Sequence, residues 1–163
     1  MLILLVSMNI HAYQSEDKIK GAILGKVAKF VKWDKSNDDE FVITVLGDSF
    51  GETLDKMYDS KKIKSKKIKL VYIDNIDELK FTNILYIPIP YAPQLNEIIQ
   101  KTKGKNILTV STIKGFADKK GVLQIYFISQ KAKLKINLDS AKKNHLKINS
   151  SLLRIADVIK ENR

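Results

Sequence analysis

The 163-residue sequence predicts an α/β protein: three layers, with a mostly parallel sheet flanked by helices and an antiparallel hairpin near the C-terminus. Two patterns carry that expectation. Short apolar runs rich in β-branched residues fall at 41–46, 68–73, 83–87 and 106–110, and a polar or helically spaced segment separates each from the next. The runs are nearly continuous rather than alternating, as strands covered on both faces require. Beyond Gly121 the pattern changes. There Lys133 and Lys135 alternate with Leu134 and Ile136, the mark of an antiparallel strand with one wet face.

The elements follow in order. Ser15 is placed to cap a helix whose apolar positions Ile19, Ile23, Val27, Phe30 and Val31 recur at helical spacing up to Trp33. Strand 41–46 follows, then a turn at Gly47-Asp48-Ser49 and a helix carrying Phe50, Leu54, Met57 and Tyr58. Six lysines crowd 61–69 before strand 68–73. A helical turn at 75–79, strand 83–87 closed by Pro88 and Pro90, and a helix at 91–102 with Leu95, Ile98 and Ile99 inward come next. Strand 106–110 leads to a short helix ending before Gly121. Strands 122–128 and 133–138, joined through 129–132, form the hairpin on one edge of the sheet. A helical turn at 140–144 and a last helix at 151–161 complete the chain.

No segment divides the chain, so residues 13–163 are expected to be one domain. Residues 1–12 read MLILLVSMNIHA, an apolar run too short for a bilayer-spanning helix, which needs about 20 residues. They match the apolar part of a secretory signal ending at the small residue Ala12, with its basic start missing. The expected product is exported, periplasmic and soluble.

Composition excludes several classes of function. There is no cysteine, hence no disulfide scaffold, thiolate metal site or cysteine nucleophile. His11 and His145 are too few for a histidine metal centre, and no cofactor or metal is expected. The net charge is +11, yet 27 of the 29 basic residues are lysine. Base reading and planar phosphate clamping favour arginine, so a solvated lysine coat is preferred to nucleic-acid binding. The lysines at 61–69 are read as solvated, with docking on anionic lipid as the alternative.

Gly47-Asp48-Ser49 after a strand resembles the nucleophile motif of GDS-type esterases. Those enzymes place an aspartate three residues before the catalytic histidine, and here Lys142 stands at that offset from His145. A serine without an oriented base is a poor nucleophile. Ser49 is read instead as a cap for the following helix and Gly47 as a turn residue. No nucleotide-binding glycine pattern is present.

Four stretches together resemble the YfiR-like family of small periplasmic proteins. They are 20–33, ending in Phe30-x-x-Trp33; 45–51, Val-Leu-Gly-Asp-Ser-Phe-Gly; 107–121, containing Leu-Thr-Val-Ser and Gly-Phe-Ala; and 136–156, closing on Ser-Ser-Leu-Leu-Arg-Ile-Ala. The resemblance implies a non-enzymatic regulatory binding protein. The best-understood members restrain a membrane-anchored diguanylate cyclase by contacting its periplasmic part, so that envelope stress reaches cyclic-di-GMP synthesis. The missing cysteines remove any stabilising disulfide of such relatives. A small-molecule sensor, with its ligand at the carboxyl ends of the strands, is the alternative; an esterase using Ser49 is a distant third.

Partner or ligand binding is expected at two places. Phe116, flanked by Lys114 in the 111–121 loop, has the composition of an interface anchor. Ser150 and Ser151 open a helix with Arg154 one turn on, where an anionic group could dock. The competing reading has Phe116 plugging the sheet end and Arg154 in an internal ion pair. A homodimer is left open.

Overall fold

The computed structural model describes the backbone of residues 6–35 and 39–160 and side chains from residue 16 onward. It is a mixed α/β fold built on an eight-stranded sheet and a separate two-stranded ribbon. The strands are β1 (Val31–Trp33), β2 (Glu40–Leu46), β3 (Lys62–Ile63), β4 (Lys66–Ile73), β5 (Ile84–Ile87), β6 (Leu108–Ser111), β7 (Leu123–Ile128), β8 (Lys131–Asn137), β9 (Leu146–Ile148) and β10 (Asp157–Ile159). The helices are α1 (Val6–Ala28), α2 (Thr53–Tyr58), α3 (Leu95–Thr102), α4 (Leu138–Lys143) and α5 (Ser150–Leu153). The large sheet runs β10-β8-β7-β6-β5-β2-β4-β3. Only β7–β8 and β3–β4 pair antiparallel; the other five contacts are parallel.

The two cores explain the continuous apolar runs. Phe41, Ile43 and Val45 of β2 pack with Leu24, Val27 and Ala28 of α1 and Leu54 and Tyr58 of α2 on one face. Leu46, with Leu85 and Ile87 of β5, packs with Leu95, Ile98 and Ile99 of α3 on the other. A central strand sealed on both sides has no position that a polar residue could use without a partner. Thr44 confirms the rule by exception: its hydroxyl donates to Thr82 Oγ1 at 2.9 Å.

Several local expectations are corrected. The first helix runs through Ser15 from Val6, so Ser15 is not its cap, and Val31 has left the helix for β1. The backbone of residues 6–12 lies within α1, while residues 1–5 of the expected signal lie outside the described residues. Segment 113–120 is a run of turns rather than a helix. The hairpin β7–β8 turns on two residues, Ser129 and Gln130, both with positive φ (47° and 63°), and the intervening loop is correspondingly shorter. It does not form the sheet edge, because β10 adds in parallel outside β8. The last helix stops at Leu153, and the chain becomes that edge strand. Helical periodicity in 152–159 describes equally well a short turn followed by a strand, and only a free sheet edge selects the second.

Trp33 shows how the ribbon is fastened to the sheet. Its indole N–H donates to Asn83 O at 3.1 Å and its ring meets Phe41 edge-on at 5.3 Å. The ammonium of Lys64 lies 5.1 Å from the indole centroid and donates to Val31 O. Burial, reinforced by Lys32 and Lys66, pushes that ammonium below the usual lysine value. At least one of the six crowded lysines is therefore a structural latch.

Two glycines set the spacing of α1 and α2. A Cβ at Gly21 would come within 2.9 Å of Leu54 Cδ2, and one at Gly25 within 3.1 Å of Tyr58 Oη. Tyr58 donates its hydroxyl proton to Gly21 O at 2.5 Å.

Candidate functional site

Strand order reverses between β2 and β5: β4 follows β2 in sequence and lies on one side of it, while β5 and β6 lie on the other. At such a switch point the loops leaving the strand ends diverge and open a crevice, the usual ligand position in open α/β sheets. A cleft of about 540 Å³ occupies that place. Its walls are Asp48 and Ser49 after β2, Tyr86 and the segment Pro88–Pro90 at the end of β5, Thr112 after β6, residues 125–127 of β7, and α1 at Glu16, Asp17 and Lys20. A second, more open groove of about 810 Å³ continues along α2 and shares Asp17, Asp48 and Ser49 with it.

The floor is charged and partly buried. Asp17 is 6% exposed and accepts a hydrogen bond from Lys20 Nζ at 3.1 Å; Glu16 lies 3.8 Å from the same ammonium. Burial pulls Lys20 down, but Tyr86, Asp17 and Glu16 outweigh it and hold the ammonium above its ordinary value. Lys20 is thus a fixed cation at neutral pH. The opposite wall is apolar: Ile89 is 62% exposed beside Pro88 and Pro90.

Ser49 sits where the two clefts meet, and its placement corrects the capping role expected for it. The residue that caps α2 is Glu52, without a side-chain hydrogen bond. Ser49 Oγ is buried and has no hydrogen-bond partner among the described residues. Leaving a buried hydroxyl unmatched costs about 1–3 kcal/mol, so the position is one where a bound group would be stabilising. Gly47, at φ 66°, makes the turn expected of it.

The residues singled out from sequence are not gathered into this cleft. Phe116 is 0% exposed and fills the core beneath α3, where a Cβ on Gly121 would meet its ring at 2.2 Å. A side chain without surface cannot anchor a partner in this conformation, and its aromatic bulk is used to close the sheet end. Lys114 beside it is exposed. Ser150, Ser151 and Arg154 lie at α5, whose Leu152 packs in the opposite core. Arg154 is exposed and donates to Ser151 Oγ at 3.3 Å, and among the described residues it forms no internal ion pair. Asn149 already caps α5, accepting from Ser151 N at 2.8 Å. Among the cleft residues, Asp17 and Lys20 carried a legible signal, an acid and a base three apart on a helix; the burial of Tyr86 and the orphan state of Ser49 did not.

The esterase reading fails on distance. His145 is exposed, in a shallow pocket with Asp34, Gly104 and Asn106 at the amino ends of β2 and β6. Ser49 follows the carboxyl end of β2, roughly 20 Å away for a strand of this length.

Fold and cleft together define an open α/β protein with a crevice at its switch point. The family is specific. A family model described as YfiR/HmsC-like matches residues 17–157, and the chain belongs to that family. No curated protein matches. Among solved structures, a conserved domain protein from Vibrio cholerae O1 biovar eltor str. N16961 is similar at 10% identity and a TM-score of 0.57, covering 88% of this chain and 60% of that one. An ABC domain in complex with L-Trp from Streptococcus pneumonia is similar at 9% identity and a TM-score of 0.56, covering 88% and 62%. The chain therefore spans about three fifths of each, and at these identities the likeness concerns the fold. Among the described residues no helix is long and apolar enough to cross a membrane.

Proposed function

We propose that this protein is a non-enzymatic periplasmic regulator that binds the periplasmic part of a membrane-anchored signalling protein, such as a diguanylate cyclase, and so adjusts cyclic-di-GMP synthesis. The observation that carries the reading is membership of the YfiR/HmsC-like family over 17–157. The separation of Ser49 from His145 supports it by removing the one hydrolytic arrangement that the sequence offered. Regulation across a membrane requires different affinities for two states of the partner, which a rigid domain with a fixed surface can supply.

The test is to delete the gene in the cells that make it and measure intracellular cyclic-di-GMP. The nucleotide should rise and return on complementation with the intact gene. An unchanged level in both strains, under envelope stress and without it, overturns the proposal. The same cells test export: the periplasmic protein should begin near Tyr13, and recovery of intact Met1 in the cytosol would count against the localisation.

A second reading, a small-molecule sensor, is favoured by the orphan hydroxyl of Ser49 in the switch-point cleft. The two readings are compatible if a ligand in the cleft shifts partner affinity. Ser49→Ala separates them: it should leave partner restraint intact while removing any response to the ligand.

A further inference from the structure

The switch-point cleft carries charge of the opposite sign to the rest of the molecule. The chain as a whole has a net charge of +11. Within the cleft, Glu16, Asp17 and Asp48 face a single basic side chain, Lys20. The groove that continues from it adds Lys18, Glu52 and Lys56, and the last two pair with each other at 2.6 Å. An acidic surplus therefore persists across both.

Part of that surplus is structural. Asp17 holds the Lys20 ammonium at 3.1 Å, and Glu16 lies 3.8 Å from it, so Lys20 is already more than neutralised. Asp48 has no such employment: it is exposed and forms no ion pair among the described residues. The next residue is Ser49, whose Oγ is the one buried side-chain nitrogen or oxygen without a hydrogen-bond partner among the described residues. Folding accounts for Asp17 and Lys20. It does not account for an unpaired carboxylate next to an unmatched buried hydroxyl, both lining one cleft.

The remaining walls narrow the ligand further. Among the described residues no three acidic or histidine side chains are grouped to hold a metal ion. The facing wall is apolar, with Pro88, Pro90 and Phe127 around an Ile89 that is 62% exposed. A volume of about 540 Å³ is that of a site for a small organic molecule, in which an apolar wall takes the body and a few polar groups fix its orientation.

Resting on the sensor reading of this cleft, we infer that its ligand is a small organic cation, a primary ammonium carried on an apolar chain. The ammonium donates to the Asp48 carboxylate and to Ser49 Oγ, and the hydrocarbon covers Ile89 and its proline neighbours. Hydrogen bonds between ionised partners are the strong ones, and covering Ile89 removes apolar surface from water.

Calorimetric titration of the full chain with n-hexylamine at pH 7 and fixed ionic strength tests this. Saturable binding is expected, absent with hexan-1-ol and with hexanoate, which keep the chain and lose the positive charge. Asp48→Asn and Ser49→Ala should each weaken it about tenfold. Asp59→Asn, at an exposed acid outside both clefts, should leave it unchanged. Without ligand, Ser49→Ala should melt no lower than the parent, so that lost binding is not lost folding. 1,6-Diaminohexane forms a second arm: tighter binding than hexylamine assigns a polyamine, and equal or weaker binding assigns a monoamine. Absence of saturable hexylamine binding overturns the inference, as does equal binding by the alcohol or by Asp48→Asn. The sensor reading fails separately: if the amine binds as expected but leaves cyclic-di-GMP unchanged in cells supplied with it, that reading falls and the ligand class stands. If hexan-1-ol binds instead and shifts cyclic-di-GMP, the ligand class falls and the sensor reading stands.

Discussion

Two loops leave the same end of the sheet, one after β2 and one after β6, and they treat their polar groups oppositely. In the loop after β6, Ser111 Oγ donates to Ile87 O at 2.6 Å and accepts from Ile113 N at 3.0 Å. Ala117 is held at both backbone groups, its N–H by Gln124 Oε1 and its carbonyl by Asn137 Nδ2. Phe116 fills the space between with no exposure at all. In the loop after β2, Ser49 Oγ is buried and unmatched beside an open cleft. Both loops have the glycine, aromatic and hydroxyl content of a binding site. The difference teaches that composition does not distinguish a plug from a site; satisfied hydrogen bonds do.

The largest expected effect tests the plug. Phe116→Ala should destabilise the protein by roughly 3–5 kcal/mol in urea unfolding, the usual cost of emptying an aromatic core position. Gly121→Ala should be damaging for the opposite reason, since its Cβ would enter the Phe116 ring. If Phe116→Ala cost under about 1 kcal/mol, the loop would be yielding and the contrast lost.

The α1–α2 contact beside the open loop has a pH signature. Burial, opposed by the Gly25 backbone, pushes the Tyr58 hydroxyl up to about 12 from an ordinary value near 10. A group whose pKa is raised on folding gives stability that is present below its unfolded value and lost as pH rises through the folded one. Stability should therefore fall between about pH 10 and 12, by at most ~3 kcal/mol from this group. Tyr58→Phe should remove that portion of the alkaline decline; an unchanged slope would mean that the hydroxyl is wetter than its packing implies.

Asn137→Ala comes next in size. It deletes the bond to Ala117 O and the cap on Ser140 N together, an expected loss of about 1–3 kcal/mol by thermal or urea unfolding. A neutral result would show that the plug does not depend on its hydrogen bonds.

The smallest effect is the sharpest test of the comparison. Ser49→Ala should stabilise the protein by about 1 kcal/mol, the low end of the cost of an unmatched buried hydroxyl. A loss above about 1 kcal/mol would show that the hydroxyl is matched within the fold, and the two loops would no longer differ.

Much of the architecture was legible because burial leaves a linear trace. A strand sealed on both faces must be continuously apolar, and β2, β5 and β6 lie within a residue or two of the runs that predicted them. The capped turn at 76–78 was legible too, because Asn75 and Glu78 exchange local hydrogen bonds that need no distant partner. The end of the chain was not. Val158 and Ile159 suit a helix face or a strand, and the free edge beside β8 decided between them. The ribbon β1–β9 joins residues more than a hundred positions apart, a pairing with no local cue. The candidate sites divide in the same way. Residue types, charge and the motifs of the YfiR/HmsC-like family are properties of the sequence by itself. Whether Phe116 is exposed, or whether Ser49 finds a partner, depends on which groups the tertiary fold brings within about 3 Å, because hydrogen bonding and burial are set by distance in space.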